Sequence, residues 1–307
     1  MNVRSTQTTE PQGERGDLGG VTGGEARKTA RHELENPRWT MLFRSRAFQA
    51  GGVVLLFWVV CAAFGELFVP YGPLVQNFNA INQAPSLAHW FGTDNLGRDV
   101  LSRVIAGSRT ILIIAPLATG VGVVGGTVLG LAQAYYRGVA DMITGRLVEA
   151  GLALPTVIVA FLFIVALGPS TATLVIVIGL AFALIVSRTV RTAALAEREL
   201  DYVAAAGLRG ESGPYVMFVE MLPNVLPLIF VEFTIRLGYA IFTVASLSFL
   251  GLGVQPPTPD WGADIAASYQ YLSAGYWWET LFPALAIVSL VTAINMISSA
   301  LESTFIG

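Results

Sequence analysis

Five long stretches without a charged residue constrain this chain more than any other feature of its sequence. They cover residues 47–65, 110–136, 150–187, 237–259 and 280–301. A helix needs about 20 apolar residues to cross the hydrocarbon core of a membrane, and in lipid its backbone groups must be hydrogen-bonded within the protein. The stretches therefore predict an all-α integral membrane protein.

The longest stretch divides into two helices. Residues 150–187 have room for two spans, and Gly168-Pro169-Ser170 predicts a turn between them. Six transmembrane helices are expected, with Gly126 and Gly130 forming a GxxxG pair that lets the second helix pack closely against a neighbour. The predicted spans are residues 47–69, 107–136, 147–167, 171–188, 225–250 and 279–302.

Composition excludes several classes of protein. Only 13% of the residues are charged, about half the share found in soluble domains. With 18 basic and 21 acidic residues the chain lacks the basic excess of a nucleic-acid-binding protein. Its only lysine, Lys28, cannot form the Gly-Lys-Ser/Thr of a Walker A loop, so the chain is not expected to bind ATP itself. Its single cysteine, Cys61, excludes an intrachain disulfide.

The basic residues predict the orientation. With the N-terminus in the cytoplasm, 14 of the 18 basic residues lie on the cytoplasmic side, as the positive-inside rule favours. Both termini are therefore predicted to be cytoplasmic, with a cytoplasmic loop at 189–224 and extracytoplasmic loops at 70–106 and 251–278. Residues 1–46 are predicted to be a largely disordered tail, with an amphipathic piece near residues 37–43 along the membrane surface.

The loop before the second span carries two pairs of opposite charges. Asp94 with Arg98, and Asp99 with Arg103, are spaced i,i+4 and would form ion pairs if the segment were helical. One interpretation is a salt-bridged turn at the entrance of the span. The other is a docking or gating element for something delivered from outside.

The loop at 189–224 has the pattern of two short helices. Residues 191–208 are helix-prone and amphipathic, Gly210 and Gly213-Pro214 interrupt the pattern, and a second short helix is predicted from Tyr215 to Leu222. Such a pair either binds a cytoplasmic partner or caps the helix bundle.

Two charges lie within the fifth span. Glu232 and Arg236 are four residues apart and can pair on one helix face. Charges inside a membrane are costly and indicate function by default. They are interpreted either as lining a translocation path or as a structural bridge to a neighbouring helix or subunit.

Three loop patterns together resemble one family. Ala204-Ala205-Ala206, Gly210, Glu220 and Leu222-Pro223 match the spacing of the EAA loop of ABC-importer permeases. Two outer segments are similar to C-type permeases of the dipeptide/oligopeptide/nickel family. The first starts at Phe91 and reads Phe-Gly-Thr-Asp, then Gly-Arg-Asp. The second starts at Ser248 and reads Ser-Phe-Leu-Gly-Leu-Gly-Val-Gln-Pro-Pro-Thr-Pro, then Trp-Gly.

The resemblance implies the type I ABC-importer permease fold and a coupling helix that sits on a cytoplasmic ATPase. Ala204 stands where the family has Glu, and Glu220 stands where an apolar residue or His is usual. The residues implied in ATPase coupling are Ala204, Ala205, Ala206, Gly207, Gly210, Glu220, Leu222 and Pro223. Those implied in an extracytoplasmic gate or in binding-protein docking are Asp94, Arg98, Asp99, Arg103, Gln255 and Trp261.

The same resemblance implies the partners and the place of work. They are a homologous B-type permease, two ATPase subunits or domains and an extracytoplasmic solute-binding protein, in the bacterial inner membrane. The chain would bind no cofactor, since ATP and magnesium would be held by the ATPases. Oligopeptides or dipeptides are the expected substrates, and nickel chelates or glycosides are the alternative.

Two other classes compete with this interpretation. A self-sufficient secondary transporter would show internal repeats and ionisable pairs in both halves, whereas one such pair is found. An intramembrane enzyme would carry a catalytic motif in its spans, and neither His-Glu-x-x-His nor Gly-x-Ser-x-Gly occurs. A non-catalytic transporter subunit is therefore expected.

Overall fold

The computed structural model describes residues 38–305. The chain divides into two units, residues 1–41 and 42–307. Of the first unit only residues 38–41 are described, and they begin helix α1 (Arg38–Arg44). Residues 1–37 of the predicted disordered tail lie outside the described residues.

The described part of the second unit is helical, with one isolated bridge and no named β-strand. Its main helices are α2 (Arg46–Phe68), α3 (Val100–Tyr136), α4 (Gly138–Leu152), α5 (Thr156–Leu167), α6 (Thr171–Arg198), α7 (Asp201–Leu208), α8 (Gly213–Phe249), α9 (Trp261–Ser268) and α10 (Trp278–Phe305). Short 3-10 turns cover Phe78–Ala80 and Tyr269–Ala274.

Five helices are each long and apolar enough to cross a membrane: α2, α3, α6, α8 and α10. The third predicted span, 147–167, is not one straight helix, because α4 and α5 meet at an angle of 90°. Pro155 has no amide hydrogen, and its ring disfavours a helical conformation at Leu154, which explains the break. Residues 38–305 therefore hold up to six candidate spans, if the bent pair crosses as one unit.

Helices α3 and α8 extend beyond the segments predicted for them. Helix α3 begins at Val100, not at 107, because the Asp99 carboxylate caps its first turn by accepting from the Ser102 amide at 2.8 Å. The short helix predicted from Tyr215 to Leu222 is not separate from the fifth span. It continues through a π-helical turn at Val216–Met221 into α8, and this wider turn accommodates Pro223.

Glycines set the distance between α3 and α6. A Cβ added at Gly122 would lie 2.6 Å from the Phe182 Cβ, and one at Gly126 would lie 2.6 Å from the Val186 Cβ. At Gly130 it would lie 2.7 Å from a carbonyl oxygen of α6. These glycines therefore let the two backbones approach closely, as predicted from the GxxxG pair.

We expect Gly126→Ala to destabilise the protein, because the added methyl group overlaps Val186 and the α6 backbone. Overpacking of this kind costs about 1–3 kcal/mol. The midpoint of thermal unfolding in detergent should fall by several degrees. Gly120→Ala is the matched control, since a Cβ there meets nothing within 4 Å. Equal midpoints for the two variants would contradict the proposed contact.

Candidate functional site

Asp94 and Arg98 form an ion pair in a turn of the outer loop, not in a helix. The Arg98 Nε lies 2.6 Å from the Asp94 Oδ2, and the Asp94 Oδ1 accepts from the backbone amides of Leu96 and Arg98. Gly97 has a φ of +71°, and a Cβ there would lie 2.0 Å from the Asn77 carbonyl oxygen. The turn therefore requires glycine at this position.

The predicted pair between Asp99 and Arg103 does not form. Asp99 caps α3 and lies 2.8 Å from the His89 Nδ1. Arg103 points to Asp264 in α9, and the Arg103 Nε donates to the Asp264 Oδ1 at 3.0 Å. A second guanidinium nitrogen contacts the same oxygen, and a third donates to the Pro73 carbonyl at 3.3 Å. Arg103 therefore joins α3, α9 and the loop after α2.

Trp261 locks α9 against α3. Its side chain is almost fully buried, and its indole nitrogen donates to the Val104 carbonyl at 2.8 Å. The indole lies over Gly107, where a Cβ would come within 2.7 Å of the ring. The Trp58 ring of α2 packs against it edge-on at 4.8 Å. This residue thus connects three helices.

Five of the six residues predicted for gating or docking are buried: Asp94, Arg98, Asp99, Arg103 and Trp261. Gln255 is the exposed exception. Their contacts favour the salt-bridged turn over a surface that binds a partner directly.

The same loop exposes large apolar side chains that the charge pattern did not predict. Leu87 is 98% exposed and Trp90 is 66% exposed, and both precede the buried charges. Large apolar residues outside every predicted span were the signal available in the sequence.

A small charged cavity lies beneath the loops. It measures about 20 Å³, room for one water molecule. Its charged lining consists of Asp94, Arg98, Arg103, Asp264 and Glu279. Burial raises the pKa of Asp264, and the Arg103 guanidinium opposes that shift. No sequence spacing predicts that Asp264 and Glu279 lie beside the other three residues.

The EAA-like segment, residues 201–223, has an anchored side and an exposed side. Ala206 is fully buried in an apolar cluster with Val190 of α6 and Met221 of α8. On the other side Ala204, Ala205, Gly207 and Gly210 are exposed, and Leu208 is 91% exposed. Gly210 ends the helix with a φ of +77°. The segment thus presents a helix end and a glycine turn to its surroundings.

Polar contacts stiffen the base of this segment. Glu220 accepts from the Arg209 guanidinium at 2.7 Å, so the residue that departs from the family pattern ties the turn to the start of α8. Tyr202 donates to Glu197 at 2.7 Å and accepts from Asn224 at 3.1 Å. Burial and the Glu197 carboxylate raise the pKa of Tyr202 to about 12. Leu222 is partly buried and Pro223 is exposed on α8.

Glu232 and Arg236 form the predicted ion pair within α8. The Arg236 Nε lies 2.9 Å from the Glu232 Oε2, and both side chains are mostly buried. The guanidinium also lies over the Tyr239 ring, 5.7 Å from its centre. A charge pair of this kind lowers the cost of placing either residue in a membrane.

The sequence of this chain matches family models of transport proteins. Residues 122–305 match the model described as binding-protein-dependent transport system inner membrane component. Residues 38–85 match the N-terminal transmembrane domain of oligopeptide transport permease C.

Relatives of this chain align over most of their length. The chain is 34% identical over 266 residues to the glutathione transport system permease protein of Pectobacterium atrosepticum, covering 86% of this chain and 88% of the relative. It is 34% identical over 252 residues to the dipeptide transport system permease protein of Alkalihalophilus pseudofirmus, covering 82% and 83%. It is 35% identical over 270 residues to the di/tripeptide transport system permease protein of Pseudomonas aeruginosa, covering 86% and 89%.

We expect Arg103→Ala to be strongly destabilising, because it leaves the Asp264 carboxylate buried without its partner. Breaking a buried pair from one side costs about 3–5 kcal/mol, which lowers the unfolding midpoint on the order of 10 °C. Arg146→Ala is the control, since its pair with Glu149 is exposed and should change the midpoint little. Adding Asp264→Asn to Arg103→Ala should recover part of the loss. No recovery in the double variant would argue against an unpaired charge as the cause.

Asp260 should make stability depend on pH. Burial raises the pKa of its carboxyl, so the folded chain favours the protonated acid and loses stability as the pH rises through the folded-state pKa. Asp260→Asn keeps an oxygen that can accept from the Ala263 amide, as Asp260 does at 2.9 Å. Its unfolding midpoint relative to wild type should therefore rise between pH 4 and pH 8. A constant difference across this range would show that the carboxyl is not the titrating group.

Proposed function

This chain belongs to the family of binding-protein-dependent transport system inner membrane components, and on that premise we propose that it is the translocation subunit of an ATP-driven importer of oligopeptides or dipeptides. The relatives named for dipeptide, di/tripeptide and glutathione transport support a peptide substrate. The family supports a transport subunit rather than an enzyme.

The observation that carries the proposal is the EAA-like segment with its exposed Gly210 turn. In this proposal the groove of a partner ATPase receives the exposed end of α7 and the turn, including Leu208. A large apolar side chain held almost fully in solvent favours burial against a partner. Because Ala204 stands where the family has Glu, this position would offer the ATPase an apolar contact in place of a carboxylate.

Helix α8 is the element that connects this contact to the membrane. It spans 37 residues, from Gly213 beside the turn, through the π-helical turn at Val216–Met221, to Phe249. Glu232 lies 19 residues after Gly213, which corresponds to roughly 28 Å of helix. Closure of the ATPases would thus tilt or shift helix α8 as one element. Alternating access would follow from the two positions of this helix.

The partners of the proposed importer are a homologous B-type permease, two ATPase subunits or domains that hold ATP and magnesium, and an extracytoplasmic solute-binding protein. The buried ion pairs would hold the outer loops in shape for that binding protein. Leu87, Trp90 and Gln255 offer exposed side chains for the contact itself.

Glu232 and Arg236 are proposed to line the path. A peptide carries an ammonium group and a carboxylate, and the pair offers one complementary charge for each. The alternative role, a structural bridge, predicts that exchanging the two residues by Glu232→Arg with Arg236→Glu would preserve transport of every peptide.

We expect Gly210→Val to abolish peptide uptake and peptide-stimulated ATP hydrolysis while the spans remain inserted. A β-branched residue is strained at a φ of +77°, so the turn must change shape. Gly210→Asn is the matched control, because Asn tolerates positive φ and should retain most of the activity. The measurements are uptake by proteoliposomes containing the complete complex and co-purification of the ATPases with each variant.

The result that would overturn the coupling assignment is normal transport by Gly210→Val. Transport by this chain alone in vesicles that lack ATP would replace the importer by a secondary transporter. Co-purification of a second permease and P-loop ATPases, with hydrolysis stimulated by a peptide-loaded binding protein, would support the proposal and identify the substrate.

A further inference from the structure

Two adjoining cavities lie between α3, the bent pair α4–α5 and α6. The first, here called the basic cleft, has a volume of about 340 Å³, and its charged lining is Asp141, Arg146, Glu149, Arg188 and Arg191. The second, the apolar groove, has a volume of about 440 Å³. Its lining includes Leu129, Leu152, Leu154, Phe163, Leu180 and Leu184.

The cleft and the groove neighbour each other along three helices. On α3 the groove residue Leu129 is followed one turn later by the cleft residue Gln133. On α6 Leu184 is followed one turn later by Arg188. Four residues of helix span about 6 Å, so the polar lining takes over directly where the apolar lining ends. On α4 the change occurs between the cleft residue Glu149 and the groove residue Gly151.

One arginine of the basic cleft has no carboxylate partner among the residues that line the cleft. Arg191 binds the Asp141 carboxylate through two hydrogen bonds of 2.7 Å, and Arg146 lies 3.2 Å from Glu149. The Arg188 side chain forms no ion pair with any residue between 38 and 305, and it is exposed to the cleft. Three arginines against two carboxylates give the cleft a net charge of +1.

We propose that the cleft and the groove together bind one anionic phospholipid. The phosphate accepts hydrogen bonds from Arg188, and an acyl chain lies in the apolar groove. A guanidinium fork matches the oxygens of a phosphate, and basic pockets between transmembrane helices are suited to lipid headgroups. A soluble anion would gain nothing from the groove, and a neutral lipid would leave Arg188 without a counter-charge.

The bound lipid would support the bend between α4 and α5. Gly151 lies close to α6 there, since an added Cβ would come within 2.5 Å of the Leu184 Cδ1. Leu154, Phe163 and Leu180, which also line the groove, are exposed. An acyl chain covers such side chains without requiring any backbone hydrogen bond.

The first test compares lipid binding by native mass spectrometry, using the chain purified with the subunits that accompany it. Phosphatidylglycerol should bind more tightly than phosphatidylcholine, and Arg188→Ala should weaken phosphatidylglycerol binding about five-fold, as expected for one basic residue at a lipid surface. Arg198→Ala, on the same helix but outside the cleft, should leave binding unchanged. Equal losses in the two variants would overturn the proposal.

The second test separates the possible occupants. Leu180 is replaced by a photoreactive diazirine amino acid, and the assembled complex is irradiated in its membrane. A mass increase equal to one phospholipid supports the proposal, whereas a cross-link to another polypeptide overturns it. Inorganic phosphate at millimolar concentration should not displace the lipid. If phosphate binds in an Arg188-dependent way and phosphatidylglycerol binds no better than phosphatidylcholine, the site takes a free anion and the proposal fails. Both readouts are independent of peptide transport.

Discussion

The contact between α3 and α6 supports the rest of the structure. In a bilayer, apolar side chains gain little by leaving lipid, so helices associate through close packing and polar contacts. Gly122, Gly126 and Gly130 provide that packing by bringing the two backbones together. The first turn of α3 then carries Arg103 into the outer loops, and the end of α6 leads into the EAA-like segment. Both candidate partner surfaces are thus attached to one rigid pair of helices.

Buried charges determine how the outer loops sit on this pair. Arg103 selects Asp264, 161 residues away, and so fixes the position of α9 on α3. Trp261 fixes the same interface by packing, with its indole nitrogen bonded to the backbone of α3. A buried ion pair contributes little net stability compared with an apolar contact, but an incorrect register would leave two charges unpaired in a dry site. These charges therefore define the arrangement of the loops, and the partner surface is left to the exposed residues around them.

The long helices were predictable from the sequence, because an uncharged stretch in hydrocarbon must satisfy its own backbone hydrogen bonds, as a helix does. The prediction failed where a helix continues past a charged residue, and where a helix breaks within an uncharged stretch. Arg103 is tolerated in α3 because Asp264 neutralises it, and a contact between distant residues cannot be read from i,i+4 spacing. The stretch 150–187 contains no charged residue at the Pro155 break. A search for uncharged stretches therefore could not predict the bend between α4 and α5. The pair of Glu232 and Arg236 was predictable because its spacing is local.

The same packing determines which helix can move in the proposed coupling. The EAA-like segment is anchored to both α6 and α8 through Ala206 and its neighbours. Helix α6 is held to α3 by glycine contacts with backbone and Cβ atoms, and such contacts cannot adjust by a change of rotamer. In α8, Gly238 faces side-chain atoms of Asn295 and Ile294 on α10, whereas nearer the outer end of α8 Gly262 of α9 packs directly on the Ala245 carbonyl oxygen. Side chains can exchange rotamers as one helix slides past another, whereas a backbone contact must break. A displacement of the Gly210 turn would therefore be taken up by the part of α8 before Ala245, which carries the charge pair, while α3 and α6 stay fixed as the frame.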